Sequence, residues 1–193
     1  MDVISVIGLT LGVSVVLALY VFSGIRVAYA RGELFPKSLL PVWYAMWGFH
    51  HLSVLLASLA NVWPLPLSWR LAAVAAAVAL ACGTATAILG LAQFGSYARS
   101  TGQDDPQLIS TGIYRWSRNP QVVGWFVLLL GISIAGRSGL ALLLTGVFAL
   151  VLHAYTVRLE EPYLDRVYGE QFGRYKATTP RYLGVPRGAG GAA

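Results

Sequence analysis

Two short stretches of this 193-residue chain carry residue types suited to chemistry at an edge between water and hydrocarbon. Asn119-Pro120 stands at the head of an apolar run, with Asn as a helix N-cap and Pro at the first helical position. The next backbone N–H groups of such a helix start are unpaired and favour an anion, for example a carboxylate or a phosphate. Glu160-Glu161 closes the following apolar run. Two adjacent carboxylates at the edge of hydrocarbon are costly unless solvated or paired. Arg158 or Arg166 could pair with them, or one carboxylate could receive a ligand ammonium.

The elements that must position these residues follow from composition. Hydrophobic residues make up 56% of the chain and charged residues only 11%, with a mean hydropathy of +0.64, so an ordinary water-soluble globule is excluded. Charge-free stretches run over 3–25, 38–69, 71–98, 119–136 and 138–157. A spanning helix needs about 20 mainly apolar residues, so an all-α membrane protein with five transmembrane helices is expected. Alternating those helices puts twelve of the fourteen basic residues on one side and only Arg70 and Arg137 on the other. By the positive-inside rule the N-terminus is then outside, while the 93–119 loop and the C-terminus are cytoplasmic. The first helix is expected to stay in place, since its basic residues follow it and it has no signal-peptide cleavage pattern. The net charge of +6 is thus a matter of orientation in a membrane, plasma or inner if the source is bacterial, and no nucleic acid is expected as partner.

Only Gly136-Arg137-Ser138-Gly139 separate the last two spans, so these form a helical hairpin. The hairpin returns Glu160-Glu161 to the membrane face where the Asn119-Pro120 helix begins. A helix start that favours a carboxylate beside a glutamate that favours an ammonium suits the zwitterionic end of a ligand such as S-adenosylmethionine. The residues around this pair are also familiar as a set. Leu108-Ile109-Ser110-Thr111-Gly112-Ile113-Tyr114-Arg115-Trp116-Ser117-Arg118-Asn119-Pro120-Gln121-Val122-Val123-Gly124-Trp125, then the hairpin, Glu160-Glu161 and Tyr168-Gly169-Glu170-Gln171-Phe172 resemble the isoprenylcysteine carboxyl methyltransferase family and its phospholipid N-methyltransferase relatives.

That resemblance covers roughly residues 93–183 and implies an integral-membrane methyltransferase that uses S-adenosylmethionine and leaves S-adenosylhomocysteine. Carried over by position, Gln107, Leu108, Ile109 and Tyr114 would line the adenosine part, and Asn119, Pro120, Gln121 and Val122 would flank the cofactor at the helix start. Glu160 would take the methionine ammonium, with Glu161 as second choice. The chain departs from the family pattern at Asn119, where a histidine is usual, at Val122 in place of a tyrosine, and at Thr156 in place of an arginine, with Arg158 nearest. Arg158, Trp125 and His51 are the candidates for contact with a lipophilic acceptor, and no residue is assigned a catalytic role. An oxygen or carboxyl acceptor, as in prenylcysteine methylation, is favoured because it arrives ionised. A phospholipid or amine N-methyltransferase and an NADPH-dependent sterol-reductase-like enzyme are the alternatives. A scaffold whose basic face binds anionic lipid is the non-enzymatic reading.

Three parts follow: three N-terminal transmembrane helices over 1–92, a methyltransferase core over 93–186, and a disordered tail over 187–193. Gly8 and Gly12 on the first helix and the alanine-rich third helix are expected to let backbones pack closely within the chain. Trp43, Trp47, Trp63 and Trp69 read as interface aromatics. Leu164, Val167, Tyr168, Phe172 and Tyr175 lie on one face of a single amphipathic C-terminal helix. His50, His51 and His153 fall inside spans, with neutral packing favoured over a place in the substrate cavity and no metal site expected, and the lone Cys82 reads as a small core residue.

Overall fold

A computed structural model describes residues 1–104 and 108–186; Gln107 and the 187–193 tail lie outside them. The described residues are helical with no strands, in keeping with the all-α expectation. Helix α1 spans Val3–Ala30, capped by Asp2, whose carboxylate accepts from the Ser5 amide at 2.8 Å. A 3₁₀ turn at Lys37–Leu39 leads into α2, Leu40–Leu59. Helix α3 is Trp69–Ala92, capped by Ser68, and a single turn, α4, follows at Tyr97–Ser100. After a 3₁₀ turn at Gly112–Arg115 come α5, Pro120–Ala135, and α6, Gly139–Tyr155. A π turn at Thr156–Glu160 joins α6 to α7, Glu161–Tyr168, and α8 is Glu170–Thr178.

Among the described residues, four helical stretches are long and apolar enough to cross a membrane: Val3–Ala30, Lys37–Leu59, Trp69–Ala92 and Gly139–Tyr168. The remaining apolar helix, α5, has 16 residues. At 1.5 Å per residue it is roughly 24 Å long, short of the ~30 Å hydrocarbon core. It is bounded by Pro120 at one end and Gly136 at the other, and it packs against α3 along its length and against α2 and α6 on its other sides.

The α3–α5 contact is the most extensive helix pairing in the fold and works by backbone approach. A Cβ placed on Gly124 would sit 2.4 Å from the Ala87 nitrogen, and one on Gly83 would sit 2.5 Å from the Leu128 nitrogen. The small residues of α3 thus do what their composition suggests. Gly8 and Gly12 do not, since a Cβ on either would meet nothing within 4 Å. Polar side chains tie the other helices inside the bundle, as they do where no water competes. Thr10 and Ser53 share a hydrogen bond of 2.7 Å between α1 and α2, and Ser133 and Thr145 share one of 2.9 Å between α5 and α6.

The structure corrects the single amphipathic C-terminal helix. The chain breaks at Gly169, which has φ +53 and ψ −126, a conformation that favours glycine. That break turns α8 so that Phe172 and Tyr175 are buried, while Tyr163 on α7 is buried and Val167 is left exposed. Trp43 and Trp47 join Phe22, Phe35, Tyr155 and Phe148 in an aromatic cluster between α1, α2 and α6. Cys82 is exposed on the outer surface of α3 rather than in the core.

Because Gly124 faces backbone that has no room to yield, Gly124→Val should lower stability by about 1–3 kcal/mol, the usual cost of overpacking. Thermal unfolding in detergent measures this, with Gly12→Ala as the control that leaves the midpoint in place.

Candidate active site

The two carboxylates of Glu160-Glu161 occupy different environments, and the cause is local. Pro162 lacks an amide hydrogen and its ring would clash with the carbonyl four residues back. The turn before it widens into the π turn at Thr156–Glu160, which lets the helix continue through Pro162 and changes the angle at which successive side chains leave it.

Glu161 is buried, at 8% exposure, and fully engaged. Arg181 donates to it through two nitrogens, Nε to Oε1 at 2.9 Å and Nη2 to Oε2 at 2.8 Å, and Arg118 Nη2 lies 3.0 Å from Oε1. The paired hydrogen bonds from Arg181 are the strong, planar kind. They raise the Arg181 pKa above its ordinary value. Arg118 moves the other way, because burial penalises its charge more than Glu161 supports it, and its Nε and Nη1 have no partner. Neither arginine is the partner that sequence proximity suggests: Arg158 is exposed and Arg166 donates to the Tyr29 carbonyl at 2.7 Å.

Glu160 is partly buried, accepts a 3.3 Å hydrogen bond from the Thr156 hydroxyl, and has no cation paired with it among the described residues. Tyr114 and Tyr182 lie near enough to feel its charge. Burial first, and the Glu160 charge with it, holds both phenols above their ordinary values.

The start of α5 meets the same region. Asn119 stands at the N-cap position, but its side chain makes no cap, which corrects the expectation. With φ −132 and ψ 56 its backbone is not in the extended capping geometry, and its amide donates to the Arg181 carbonyl at 3.1 Å instead. The Arg118 amide donates to the Pro180 carbonyl at 3.0 Å, so the segment after α8 is stitched across the beginning of α5. His153 Nδ1 and the Tyr182 hydroxyl, 2.9 Å apart, hold its next residue. No side chain caps the first-turn amides of Gln121 and Val122, and the positive end of the helix dipole stays uncompensated there.

Tyr114 is a hub rather than a free wall residue. Its hydroxyl donates to the Gly90 carbonyl at 3.3 Å and accepts from Gln121 Nε2 at 3.3 Å, while its carbonyl accepts from Tyr175 at 2.7 Å. It fastens the 108–119 segment to α3, α5 and α8 together. Leu108 and Ile109 are partly exposed in irregular chain, and Val122 packs against the bundle core, beside buried Pro120. The acceptor candidates divide: His51 stacks on Trp125 at 5.5 Å, and Arg158 stands apart on the π turn. His50 is buried and bonded to the Leu144 carbonyl at 3.1 Å, whereas His51 Nε2 is buried without a partner. Sequence reasoning missed Arg118, Arg181, Thr156 and Tyr182. The available signal for the two arginines was their position beside Asn119 and Pro180, a proline-marked turn after the last helix.

A profile of the phospholipid methyltransferase family matches residues 69–171, more than half of the chain. Similar proteins include the protein-S-isoprenylcysteine O-methyltransferase of Saccharomyces cerevisiae, 29% identical over 43% of this chain and 35% of that protein. Another of the same name in Dictyostelium discoideum is 26% identical over 44% of this chain and 35% of that protein. The chain matches about a third of the length of these curated relatives. No solved structure matches it.

Removing the Glu161 charge leaves Arg118 buried and unpaired, so Glu161→Gln should cost about 3–5 kcal/mol of stability. Glu160→Gln should leave the unfolding midpoint nearly unchanged. Thermal melts of both variants in detergent decide this, and a larger loss at Glu160 would reverse the assignment.

Proposed function

The chain belongs to the phospholipid methyltransferase family, and from that premise we propose that it moves a methyl group from S-adenosylmethionine to a lipophilic acceptor at the membrane surface. The observation that carries this reading is that Glu160, with no paired cation among the described residues, lies near enough to Tyr114 to act on its phenol, while Tyr114 is bonded to Gln121 in the uncapped first turn of α5. A zwitterionic amino acid presents the complementary charges, an ammonium for the first and a carboxylate for the second. Glu161, saturated by two arginines, offers no such vacancy. The residues therefore fit the methionine end of the cofactor, and the reductase alternative falls away with the family assignment.

When bound, S-adenosylmethionine supplies an electrophilic methyl on a sulfonium. The protein's task is alignment and exclusion of water. In this reading Glu160 holds the ammonium, the Gln121 and Val122 amides face the carboxylate, and Pro120 and Asn119 shape the entrance. Tyr114, with Leu108 and Ile109, flanks the adenosine. The segment stitched over α5 by Arg118, Asn119 and Arg181 limits access of water from the cytoplasmic side.

Trp125 lies five residues past Pro120, roughly 8 Å along α5 from its start, and in this reading the stacked His51–Trp125 pair would receive the acceptor's reacting end. An oxygen or carboxylate acceptor needs no base. An amine of a phospholipid is the second reading, and such an acceptor must lose a proton before it is methylated.

Calorimetry on the purified chain in detergent should show binding of S-adenosylhomocysteine and none of NADPH; the reverse would sink the proposal. Glu160→Gln should weaken that binding by about 1.5–3 kcal/mol, the worth of a charge-assisted hydrogen bond. Incubation with labelled S-adenosylmethionine and membrane-lipid extract then identifies the acceptor. We further propose α5 as a fifth crossing, with the N-terminus outside and the site facing the cytoplasm. Cysteines placed at Asp104 and Pro180 should both react from the cytoplasmic side, and one at Asn61 from the other; labels on opposite faces for the first two would refute it.

A further inference from the structure

Backbone strain in this protein gathers at the membrane face opposite the candidate active site. Among the described residues, three that are not glycine have positive φ: Asn61 at 49°, Trp63 at 55° and Arg137 at 49°. All three belong to the α2–α3 loop and the α5–α6 hairpin, which are bonded to each other. The Leu65 amide donates to the Arg137 carbonyl at 2.8 Å, the Gly139 amide to the Trp63 carbonyl at 2.8 Å, and the Ser138 hydroxyl to the Val62 carbonyl at 2.7 Å. Glycine would suit position 137, since it takes that conformation without cost. An arginine held there against its backbone preference points to a use for its side chain.

Two open grooves show what that use is. One, of about 450 Å³, runs along the alanines of α3, past Ala73 and Ala77 to Arg137. The other, of about 460 Å³, lies between α2 and α5, past Leu55 and Ile132 to Arg137. They meet at Leu80, Ala135 and Arg137, so two apolar troughs converge on one cation. Arg137 spends one hydrogen bond on the Leu67 carbonyl, at 3.3 Å, and no carboxylate pairs with it among the described residues. The two loops, 60–68 and 136–138, contain no acidic residue. Trp63 and Trp69, 60% and 67% exposed, mark the depth at which lipid headgroups lie.

We propose that this face holds one anionic two-chain glycerophospholipid, its phosphate on Arg137 and its two chains in the converging grooves. The length of α5 separates it from the candidate active site by roughly 24 Å, so the bound lipid is a structural partner and not the methyl acceptor. The proposal stands on the membrane setting of the bundle and is independent of the cofactor assignment.

The test uses the full chain purified in dodecyl maltoside, with native mass spectrometry and thermal unfolding as readouts. Dioleoylphosphatidylglycerol should give a one-to-one adduct and raise the melting midpoint, as a ligand of the native state does. Lysophosphatidylglycerol and inorganic phosphate should bind at least ~10-fold more weakly, since each supplies one tail or none, a loss that corresponds to 1.4 kcal/mol or more. Arg137→Gly should lose the adduct while its lipid-free midpoint stays equal or rises, because glycine accepts the backbone there. Arg137→Gln, which keeps the strain, should lose the adduct equally, and Ala77→Leu, which fills one groove, should erase the preference for two chains. Retention of the adduct in both Arg137 variants overturns the proposal, as does equal binding of inorganic phosphate or of the single-chain lipid.

Discussion

The end of the bundle where α5 begins and α6 ends is organised around one buried carboxylate. Glu161 sits where α7 leaves the π turn, Arg118 just before α5, and Arg181 just after α8, so their contacts close three chain segments that are far apart in sequence. In a site largely removed from water such a cluster is costly to assemble, and its return is placement rather than net stability. With Arg181 held by two parallel hydrogen bonds, its backbone carbonyl is positioned for Asn119 and Ser117, and the neighbouring Pro180 carbonyl for the Arg118 amide. The covering of α5 by the C-terminal segment depends on that closure.

The same closure explains why two neighbouring glutamates have separate roles. If Glu161 were free, Arg118 and Arg181 would be available to neutralise Glu160, and the electrostatic vacancy at the head of α5 would vanish. With both cations on Glu161, Glu160 is left without a paired cation among the described residues. Asn119 contributes by what it omits. An ordinary N-cap would satisfy a first-turn amide of α5, whereas an asparagine turned toward Arg181 leaves that helix end to be satisfied from outside.

Sequence reading went furthest where one local rule decides. The charge-free runs located the apolar helices, and the four-residue connection at 136–139 put Asn119-Pro120 and Glu160-Glu161 at one end of a hairpin. The alanines and glycines of α3 announced a close helix contact, although not that α5 would be the partner. It failed where the outcome turns on residues distant along the chain. The partner of Glu161 was sought at Arg158 and Arg166 and found at Arg118 and Arg181, a matter of tertiary closure that no spacing encodes. The break at Gly169 was hidden because Phe172 and Tyr175 keep helical phase with Leu164 and Tyr168 across it. Glycine in an otherwise regular pattern was the visible warning. Gly8 and Gly12 show the opposite error, a packing motif with nothing packed on it within the chain.

The hairpin makes the two ends of the bundle physically unlike. At the end that carries Glu161 no described residue other than glycine has positive φ, and the unsatisfied quantity is charge: Glu160 has no paired cation among the described residues and α5 starts without a side-chain cap. At the far end hydrogen bonding between the loops is dense, and the unsatisfied quantity is conformation, held in Asn61, Trp63 and Arg137. A strained loop is tolerable there because Ser58, Ser138 and the paired carbonyls of Val62 and Trp63 over-determine it. That rigid corner fixes where α5 ends. Near the other end of α5, Gly124 is pressed against the Ala87 backbone of α3. The helix is therefore held at both ends, by the strained hairpin after it and by the arginine clamp on Glu161 before it.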